Sequence, residues 1–268
     1  MNMTAAIRET LMYQNLFSSR VFLIKISGKV LNHSCFFEII RDIALLQKSG
    51  VQVILVHGCG YQIDAQLVKI DEEIKKDNGV RITSFRAMKV IVKIAQEYRN
   101  KIIVQLKKQN CAVYGDCEQA IIAHKTSPHN YTGEIVRIKK RAIKKILSRG
   151  IAVIAPLGVS KSGDFLNINA DHVAFSLAVA FKAAKLIFMT DVSGIYGDQG
   201  IISELTVEEA KILMRQKLIT GGMIPKTLSC INALSKGVSS ITILSGLKEG
   251  ALLKEVFTKK GCGTMITR

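Results

Sequence analysis

The chain has 268 residues, of which 48% are hydrophobic, 20 are glycine and none is tryptophan. This length fits one large α/β domain or two fused smaller ones. The composition excludes the collagen-like, disulfide-scaffold and disordered classes of protein. Its 38 Lys and Arg against 21 Asp and Glu give a formal net charge of +17. This charge attracts anions, but only 6% of the residues are aromatic, and nucleic-acid binders usually place aromatic side chains among their basic ones, so we predict no nucleic-acid partner.

The first predicted element is a short amphipathic helix in residues 1–19. Ile7 and Leu11 stand one helical turn apart, with Met12, Leu16 and Phe17 beside them. Because so short a helix is marginal by itself, its apolar residues need a surface that covers them. That surface belongs either to the same subunit or to a second copy of the chain.

Short β-branched runs then alternate with helical patterns, which is typical of a parallel sheet covered by helices on both faces. The predicted strands are residues 21–26, 51–56, 134–138, 151–156, 186–190, 240–245 and 264–267. The predicted helices are residues 36–48, 61–68, 87–108, 139–148, 171–181, 207–215 and 225–236. A soft division near residue 165 separates a predicted substrate half, residues 20–165, from a predicted nucleotide half, residues 166–268.

The helix predicted at residues 139–148 lies in a strongly basic stretch. Its predicted inner side consists of Ala142, Ile143, Ile146 and Leu147, so the charged residues fall on the other side. We interpret that side as a solvated helix face. The basic residues are Arg137, Lys139, Lys140, Arg141, Lys144, Lys145 and Arg149.

The cysteines and the hydropathy of the sequence indicate the cellular compartment of the protein. The six cysteines form no CxxC pair and no His stands at ligand spacing, which disfavours a zinc site and a disulfide framework. The N-terminal 20 residues have no continuous apolar run of the signal-peptide type, and no apolar stretch approaches the length of a membrane span. We therefore expect a cytoplasmic protein without a membrane or metal requirement of its own.

Ligands of open α/β sheets collect at the carboxyl ends of the strands, and the first two predicted strands end in residues suited to anions. The first ends in Lys25-Ile-Ser-Gly28, and a lysine inside an apolar strand is costly without an anionic partner. The second ends in His57-Gly-Cys-Gly60 before a helix, where small residues let backbone N–H groups approach an anion. The third glycine of a dinucleotide fingerprint is missing, so this turn alone is a weak signal.

Three later junctions carry similar chemistry. Asn167-Ile-Asn-Ala-Asp171 precedes a helix, and Asp171 fits either an N-cap or a carboxylate that orients lysines or holds a metal–nucleotide. Thr190-Asp-Val-Ser-Gly194 follows a hydrophobic strand, and Gly221-Gly-Met-Ile-Pro-Lys226 leads into a helix. Glycines before a helix that starts with a lysine suit the phosphates of a nucleotide. Together these features favour phosphoryl transfer, which needs positive charge around a γ-phosphate more than covalent chemistry.

In their order along the chain, these motifs resemble those of the acetylglutamate kinases, which belong to the amino acid kinase superfamily. Six ordered motifs are far more specific than any one of them. They are Lys25-Ile-Ser-Gly28, Val56-His-Gly-Cys-Gly60, Gly79-Val-Arg-Ile-Thr83, Asn167-Ile-Asn-Ala-Asp171, Thr190-Asp-Val-Ser-Gly194 and Gly221-Gly-Met-Ile-Pro-Lys226, and Gly261-Cys-Gly-Thr-Met-Ile266 resembles the closing strand. The similarity is weakest in residues 114–129.

The resemblance implies a three-layer α/β sandwich around an open, mostly parallel sheet, the amino acid kinase fold. It also implies the reaction of ATP with N-acetyl-L-glutamate to ADP and the γ-acyl phosphate, a step of arginine biosynthesis. Mg²⁺ would be carried by the nucleotide. The attacking carboxylate is already ionised at neutral pH, so the reaction needs no general base.

The resemblance also implies a role for each matching residue. Lys25 and Lys226 would stabilise charge on the transferring phosphoryl group, and Asp171 would orient both lysines. Arg81 would bind the α-carboxylate of the substrate through its guanidinium fork, and Asn167 its amide end. Turn residues would offer backbone N–H groups to the phosphoryl oxygens and the substrate, and further residues would lie near the nucleotide. The turn residues are Gly28, Gly58, Cys59 and Gly60, and those near the nucleotide are Gly28, Thr190, Asp191 and Gly222.

Two departures from the family pattern concern glycines. Ser27 stands where the family has the first of two glycines, and Cys59 stands within a run of three. A Cβ atom crowds such turns, and a positive φ at either position would be costly. At a phosphate-binding turn before a helix, Cys59 is also expected to favour its thiolate and to react with thiol reagents.

The resemblance leaves the acceptor and the assembly open. A related carboxylate kinase acting on aminoadipate or on a carrier-linked amino acid, or a degenerate member without activity, are the alternatives to an acetylglutamate kinase. Arginine-inhibited members carry an N-terminal helix that interlaces dimers into a hexamer, so the resemblance implies a homodimer or a homohexamer. Glu249 and Gly250 replace the family's Pro-His, so we predict weak or absent arginine inhibition.

Overall fold

The computed structural model describes residues 3–77, 79–115, 117–197, 200–219, 223–259 and 261–268. Gly222, which the resemblance implied near the nucleotide, lies outside these residues. The described strands, in chain order, are β1 (Val21–Ile26), β2 (Gln52–His57), β3 (Lys75–Asp77), β4 (Val80–Ile82), β5 (Val113–Tyr114), β6 (Ile121–Ser127), β7 (Asn130–Ile138), β8 (Ile151–Ile154), β9 (Leu157–Val159), β10 (Phe165–Asn167), β11 (Lys185–Thr190), β12 (Tyr196–Gly197), β13 (Gly200–Ile201), β14 (Glu204–Thr206), β15 (Ser240–Ser245) and β16 (Thr264–Thr267).

Helices follow most strands of the main sheet. They are α1 (Met3–Phe17), α2 (Gly28–Leu31), α3 (Phe36–Lys48), α4 (Gly60–Lys69), α5 (Phe85–Lys108), α6 (Lys140–Leu147), α7 (Ala170–Phe181), α8 (Val207–Arg215), α9 (Met223–Ser235) and α10 (Ala251–Phe257), with a short 3₁₀ helix at Glu118–Ala120. No helix in the described part of the chain combines the length and the apolar character that crossing a bilayer requires.

Eight strands form the central sheet in the order β14-β16-β15-β11-β1-β2-β8-β5. β1 pairs in parallel with β2 on one side and with β11 on the other. β16 runs antiparallel to β15, and β14 pairs in parallel with β16. This arrangement confirms the predicted α/β fold with a mostly parallel, open sheet. The last predicted strand, residues 264–267, is not an edge strand, because β14 pairs with its outer side.

The alternation of side chains along β1 explains the two helical layers. Phe22, Ile24 and Ile26 share one hydrophobic cluster with residues of α3 and α5. Leu23 points to the other face, where it belongs to the cluster that includes residues of α6, α7 and α9. Because side chains two residues apart in a strand share a face, Lys25 lies on the same face as Leu23, toward α7.

A small closed barrel of β10, β7, β6 and β9 lies outside the main sheet. It includes the segment that was predicted as a short strand at residues 134–138, which is the second part of the nine-residue β7. β6, its antiparallel hairpin partner, was not predicted from the sequence. The predicted strand at residues 134–138 is therefore present, but it belongs to the barrel and not to the main sheet.

The basic helix α6 buries only two of its residues, Ile143 and Leu147. Ala142, which was predicted to face inward, is exposed. The charged residues of the stretch are all exposed, as predicted for a solvated helix face.

The N-terminal helix α1 lies against α10 and the start of β1. The Phe17 ring packs edge-on against Phe22 with centroids 5.0 Å apart, and the Lys259 N–H donates to Glu9 Oε1 at 2.6 Å. No residue of α1 is buried, however, and its apolar side chains of Met3, Ile7 and Leu11 are each more than half exposed. The subunit itself therefore covers only part of the apolar surface of this helix.

Candidate active site

A cleft of about 440 Å³ opens where β1 and β2 end, between these strands, the start of α7 and the β3–β4 hairpin. Most of the residues predicted from the sequence line it. They are Lys25, Gly28, Gly58, Cys59, Gly60, Arg81, Asn167, Asp171 and Asp191. Asp64, Lys76 and Lys29 also line the cleft and were not predicted.

Asp171 bridges the two predicted lysines. Its Oδ1 lies 2.8 Å from Lys25 Nζ and its Oδ2 lies 3.4 Å from Lys226 Nζ. Lys25 is buried and comes from the central strand β1, and Lys226 comes from the first turn of α9, with its Nζ 5.4 Å from the centre of the buried Phe188 ring. Three elements far apart in sequence thus bring two cations to one carboxylate.

The place of Asp171 follows from how α7 begins. Asn169 is the N-cap, and its side chain accepts the Asp171 N–H at 2.8 Å. Of the two roles that the sequence left open for Asp171, the structure excludes the N-cap, because Asn169 caps the helix two residues earlier. The Asp171 carboxylate is left to face the lysines.

Electrostatics keep Asp171 ionised. Burial alone would raise the pKa of its carboxyl group, but the charges of Lys25 and Lys226 and their hydrogen bonds outweigh burial and lower it to about 2. The three groups therefore carry a net charge of +1 at neutral pH, which favours the binding of an anion beside them.

The glycines after β1 and β2 allow a close approach of two backbone turns. A Cβ at Gly28 would lie 2.6 Å from Gln62 Oε1 and 3.3 Å from the Gly58 carbonyl oxygen, so a side chain there would force a shift. At Gly60 a Cβ would meet nothing within 4 Å, and α4 begins there with N–H groups that have no acceptor inside the helix. The turn therefore offers an open helix N-terminus to the cleft.

Contrary to what the resemblance implied, Gly58 does not offer its backbone N–H group to the cleft. Its N–H already donates to the Ile26 carbonyl oxygen at 2.7 Å. The implied role of Gly58 as an N–H donor to a ligand is therefore wrong in this structure, because the bond that continues the β1–β2 ladder uses that donor. A Cβ at Gly58 would make only ordinary contacts, the nearest at 3.4 Å from the Gly28 nitrogen and another at 3.6 Å from Lys25 Cε.

The two departures from the family pattern cause no backbone strain. Ser27 has φ −73° and Cys59 has φ −138°, both ordinary for L-residues. Ser27 is the N-cap of α2 and accepts the Val30 N–H. Neither position therefore requires the positive φ that would be costly for an L-residue.

The expectation of a reactive Cys59 was wrong. The residue is 1% exposed and packs in a cluster with Ile63 and Ala87. Burial raises the pKa of its thiol to about 12, and the nearby positive charge of Arg81 offsets only part of this effect. The thiol is the stable form at neutral pH, so the turn does not activate it.

Arg81 reaches the cleft from β4 but is not a free fork. Its Nη2 donates to Asp64 Oδ1, and Lys76 Nζ lies 2.9 Å from Asp64 Oδ2. Although burial opposes it, the hydrogen bonds from Lys76 and Arg81 lower the pKa of Asp64. Arg81 Nη1 is buried and has no hydrogen-bond partner among the described residues, so one prong of the guanidinium remains available.

Asn167 is the last residue of β10 and Thr190 is the last residue of β11. Asn167 Nδ2 donates to Thr83 Oγ1 at 3.0 Å, which ties the end of β10 to the loop after β4. Thr190 is buried at the end of β11, and its Oγ1 donates to Asp191 Oδ1 at 2.9 Å. Asp191, unlike Thr190, lines the cleft.

The histidine that ends β2 takes no part in proton transfer at the cleft. His57 is fully buried, and burial together with the charge of Arg99 lowers its pKa to about 3. It is therefore neutral at physiological pH.

Comparison with known proteins shows the family of the chain. A family model described as "Amino acid kinase family" matches residues 20–245. The chain is 36% identical to an acetylglutamate kinase of Halothermothrix orenii over all of this chain and 98% of that one. It is also 36% identical to an acetylglutamate kinase of Caldicellulosiruptor saccharolyticus, over 96% of this chain and 94% of that one.

A solved structure shares the fold over the whole chain. It is the N-acetylglutamate synthase of Neisseria gonorrhoeae complexed with coenzyme A and N-acetyl-glutamate, with a TM-score of 0.92 and 24% sequence identity. The chain covers 64% of the length of that synthase.

Proposed function

The chain belongs to the amino acid kinase family, and from that membership we propose that its cleft transfers the γ-phosphoryl group of ATP to the side-chain carboxylate of N-acetyl-L-glutamate. It is a kinase with a carboxyl group as acceptor, as are the acetylglutamate kinases to which it is similar over its full length. The reaction belongs to arginine biosynthesis. The observation that carries the assignment to this cleft is the bridge from Asp171 to Lys25 and Lys226.

That bridge fits the charge changes of phosphoryl transfer. Negative charge moves from the acceptor carboxylate and spreads over the transferring group and the leaving ADP oxygens. Two lysines fixed by one buried carboxylate provide positive charge that needs no reorganisation during the step. Lys25 and Lys226 therefore act on the transferring group, and Asp171 positions them.

The acceptor lies on the side of Arg81 and Asn167. The unpartnered Nη1 of Arg81 supports a hydrogen bond to the α-carboxylate of the substrate, with Asp64 holding the other prong in place. The Asn167 side chain supports contact with the acetamido group. The side-chain carboxylate of the substrate is ionised at neutral pH, so it attacks the γ-phosphorus without a general base.

The nucleotide lies on the side of β11 and α9, in the half formed by residues 166–268. Thr190 and Asp191 at the end of β11 and the N–H groups of Gly28 and Gly60 are the described groups that we assign to the nucleotide side and its phosphates. Among the described residues, no three His, Cys, Asp or Glu side chains converge as a metal site, and we propose that Mg²⁺ enters on the ATP phosphates. The metal would neutralise phosphate charge during the transfer.

We propose a homodimer or homohexamer in which α1 packs on a second copy of the chain. Support comes from the exposed apolar side chains of Met3, Ile7 and Leu11 along one side of α1. We also propose a cytoplasmic location, which the six cysteines support because all six are free thiols.

The reaction is tested by ADP release with N-acetyl-L-glutamate, N-acetyl-aminoadipate and glutamate as alternative acceptors. We expect N-acetyl-L-glutamate to give the highest kcat/KM. A preference for N-acetyl-aminoadipate would assign the cleft to the related carboxylate kinase, and no ADP release with any acceptor would contradict the proposed function.

Variants of the two lysines locate the chemistry. Lys25→Ala and Lys226→Ala should each lower kcat by at least about 10²-fold, which is the scale for losing one preorganised charge. Lys211→Ala is the matched control, since this exposed lysine pairs with Glu208 on α8, outside the cleft. Near-native turnover of Lys226→Ala would remove that lysine from the mechanism.

A further inference from the structure

Lys29 lines the cleft and has no role in the mechanism given above. Lys29 directly follows Gly28 in the one-turn helix α2, and its Nζ lies 2.6 Å from Asp191 Oδ2. Both side chains line the cleft, and the pair joins the end of β1 to the end of β11. Lys29 was not among the residues predicted from the sequence, because a single lysine after a glycine carries no motif of its own.

The surroundings of the pair keep the backbone fixed and the lysine side chain free to move. Ser27 caps α2, and Gln62 Nε2 donates to the Gly28 carbonyl oxygen at 2.7 Å. The Lys29 side chain, in contrast, is 62% exposed and rests on a flexible four-carbon stem. It can reach a new partner without a change in the turn that carries it.

The pair itself is weakly suited to a structural role. The hydrogen bond with Asp191 raises the pKa of Lys29, and the same bond lowers the pKa of Asp191, so both groups are charged at neutral pH. Ion pairs this exposed contribute little to folding stability, because water solvates the separated charges nearly as well. Asp191 also keeps its second contact, from Thr190 Oγ1, when the lysine leaves.

We propose that Lys29 exchanges Asp191 for a phosphate oxygen of the bound nucleotide and so adds a third, mobile cation to the two that Asp171 holds. This inference rests on the proposed function, which puts the nucleotide beside Asp191. A polyphosphate carries more negative charge than one carboxylate, and a lysine ammonium binds phosphate as a point charge that needs no fixed orientation. The exchange therefore favours the nucleotide complex.

The role of Lys29 differs from that of Lys25 and Lys226. Those two are held at Asp171, where charge develops during the transfer. Lys29 contacts phosphate in the ground state and the transition state alike, so its contribution is to nucleotide affinity rather than to turnover. It is a binding residue for both ATP and ADP.

The test uses the full-length chain and MgADP titrated by calorimetry, together with steady-state kinetics. Lys29→Met should weaken MgADP binding and raise KM for ATP by about tenfold, the lower range for a hydrogen bond to a charged group. We expect kcat within about threefold of wild type and an unchanged KM for N-acetyl-L-glutamate. Lys29→Arg should recover most of the affinity, and Lys211→Met, which removes an exposed charge outside the cleft, should change none of these values.

A structural pair gives a different result. In that case Lys29→Met would lower the melting temperature of the ligand-free protein and leave MgADP affinity at the wild-type value, which would overturn the proposal. A large loss of kcat with unchanged affinity would also overturn it. If wild type binds MgADP but phosphorylates none of the acceptors, the proposed function fails while the calorimetric comparison still decides the role of Lys29.

Discussion

Replacing Asp171 by Asn tests both the stability and the chemistry of the cleft. The side chain keeps its size, but the negative charge between Lys25 and Lys226 disappears. The pKa of Asp171 is lowered from 3.8 to about 2, and this difference already includes the cost of burial. At about 1.4 kcal/mol per pKa unit, the charged form stabilises the fold by about 2 kcal/mol relative to the neutral form.

The loss should be visible in thermal unfolding. For a protein of this size, about 2 kcal/mol corresponds to a decrease in melting temperature of roughly 4–8 °C. Because the pKa is lower in the folded state, this stabilisation is complete above the unfolded value near 4 and is lost as the pH falls toward 2. The difference between wild type and Asp171→Asn should therefore be constant from pH 8 to pH 5 and shrink to roughly half near pH 3.

Activity gives the second measurement. Without the carboxylate, the two lysines repel each other and lose their fixed positions, so kcat should decrease by at least about 10²-fold. Circular dichroism at 25 °C serves as the control that the variant is folded. An unchanged melting temperature together with near-native kcat would refute the reasoning, because it would show that Asp171 neither stabilises nor positions the lysines.

Three further predictions concern other parts of the molecule. Arg81→Lys should raise KM for N-acetyl-L-glutamate about tenfold and leave KM for ATP within twofold, because an ammonium lacks the planar fork that directs one donor to Asp64 and another to the substrate. Equal effects on both KM values would place Arg81 outside the acceptor site. Iodoacetamide at pH 8 should leave the activity intact, because the Cys59 thiol is buried and protonated. Cys59→Gly should destabilise the fold by about 1 kcal/mol rather than activate the enzyme. Rapid inactivation of wild type that Cys59→Gly prevents would show instead that this thiol is accessible and reactive. A chain that begins at Ser19 should have a lower mass in light scattering than the full chain, and L-arginine should inhibit the full chain weakly or not at all; an unchanged mass would mean that α1 packs within its own subunit.

Much of the main sheet could be predicted because its strands and helices have distinct hydrophobic periods. The bounds of α3, α8 and β15 agree with prediction to the residue. The barrel could be predicted only in part, at residues 134–138, because β6 and β7 are half-exposed strands in which only a short apolar run stands beside several polar residues. Their pairing depends on contacts across a hairpin and with β9 and β10 rather than on a local signal.

The candidate site shows a similar limit. Lys25 could be predicted because a charge inside an apolar strand needs an explanation, and the alternation of β1 fixes the face on which it lies. The contacts of Asp64 with Arg81 and Lys76 could not, since they join α4 to a hairpin through side chains that carry no spacing rule. The chemistry of Cys59 was misjudged because burial by Ile63 and Ala87, which only the fold establishes, outweighs the helix N-terminus.

The central place of β1 in the sheet has a mechanical consequence. Lys25 stands in a strand whose residues pair on both sides, with β2 and with β11, so the two halves of the chain share an unbroken set of backbone hydrogen bonds directly beneath the cleft. Pulling the halves apart would break these bonds in a buried environment, which is far more costly than bending a surface turn. Entry and release of ligands therefore depend on the segments above the strand ends, and the amide protons of β1 should be among the slowest in the molecule to exchange with solvent.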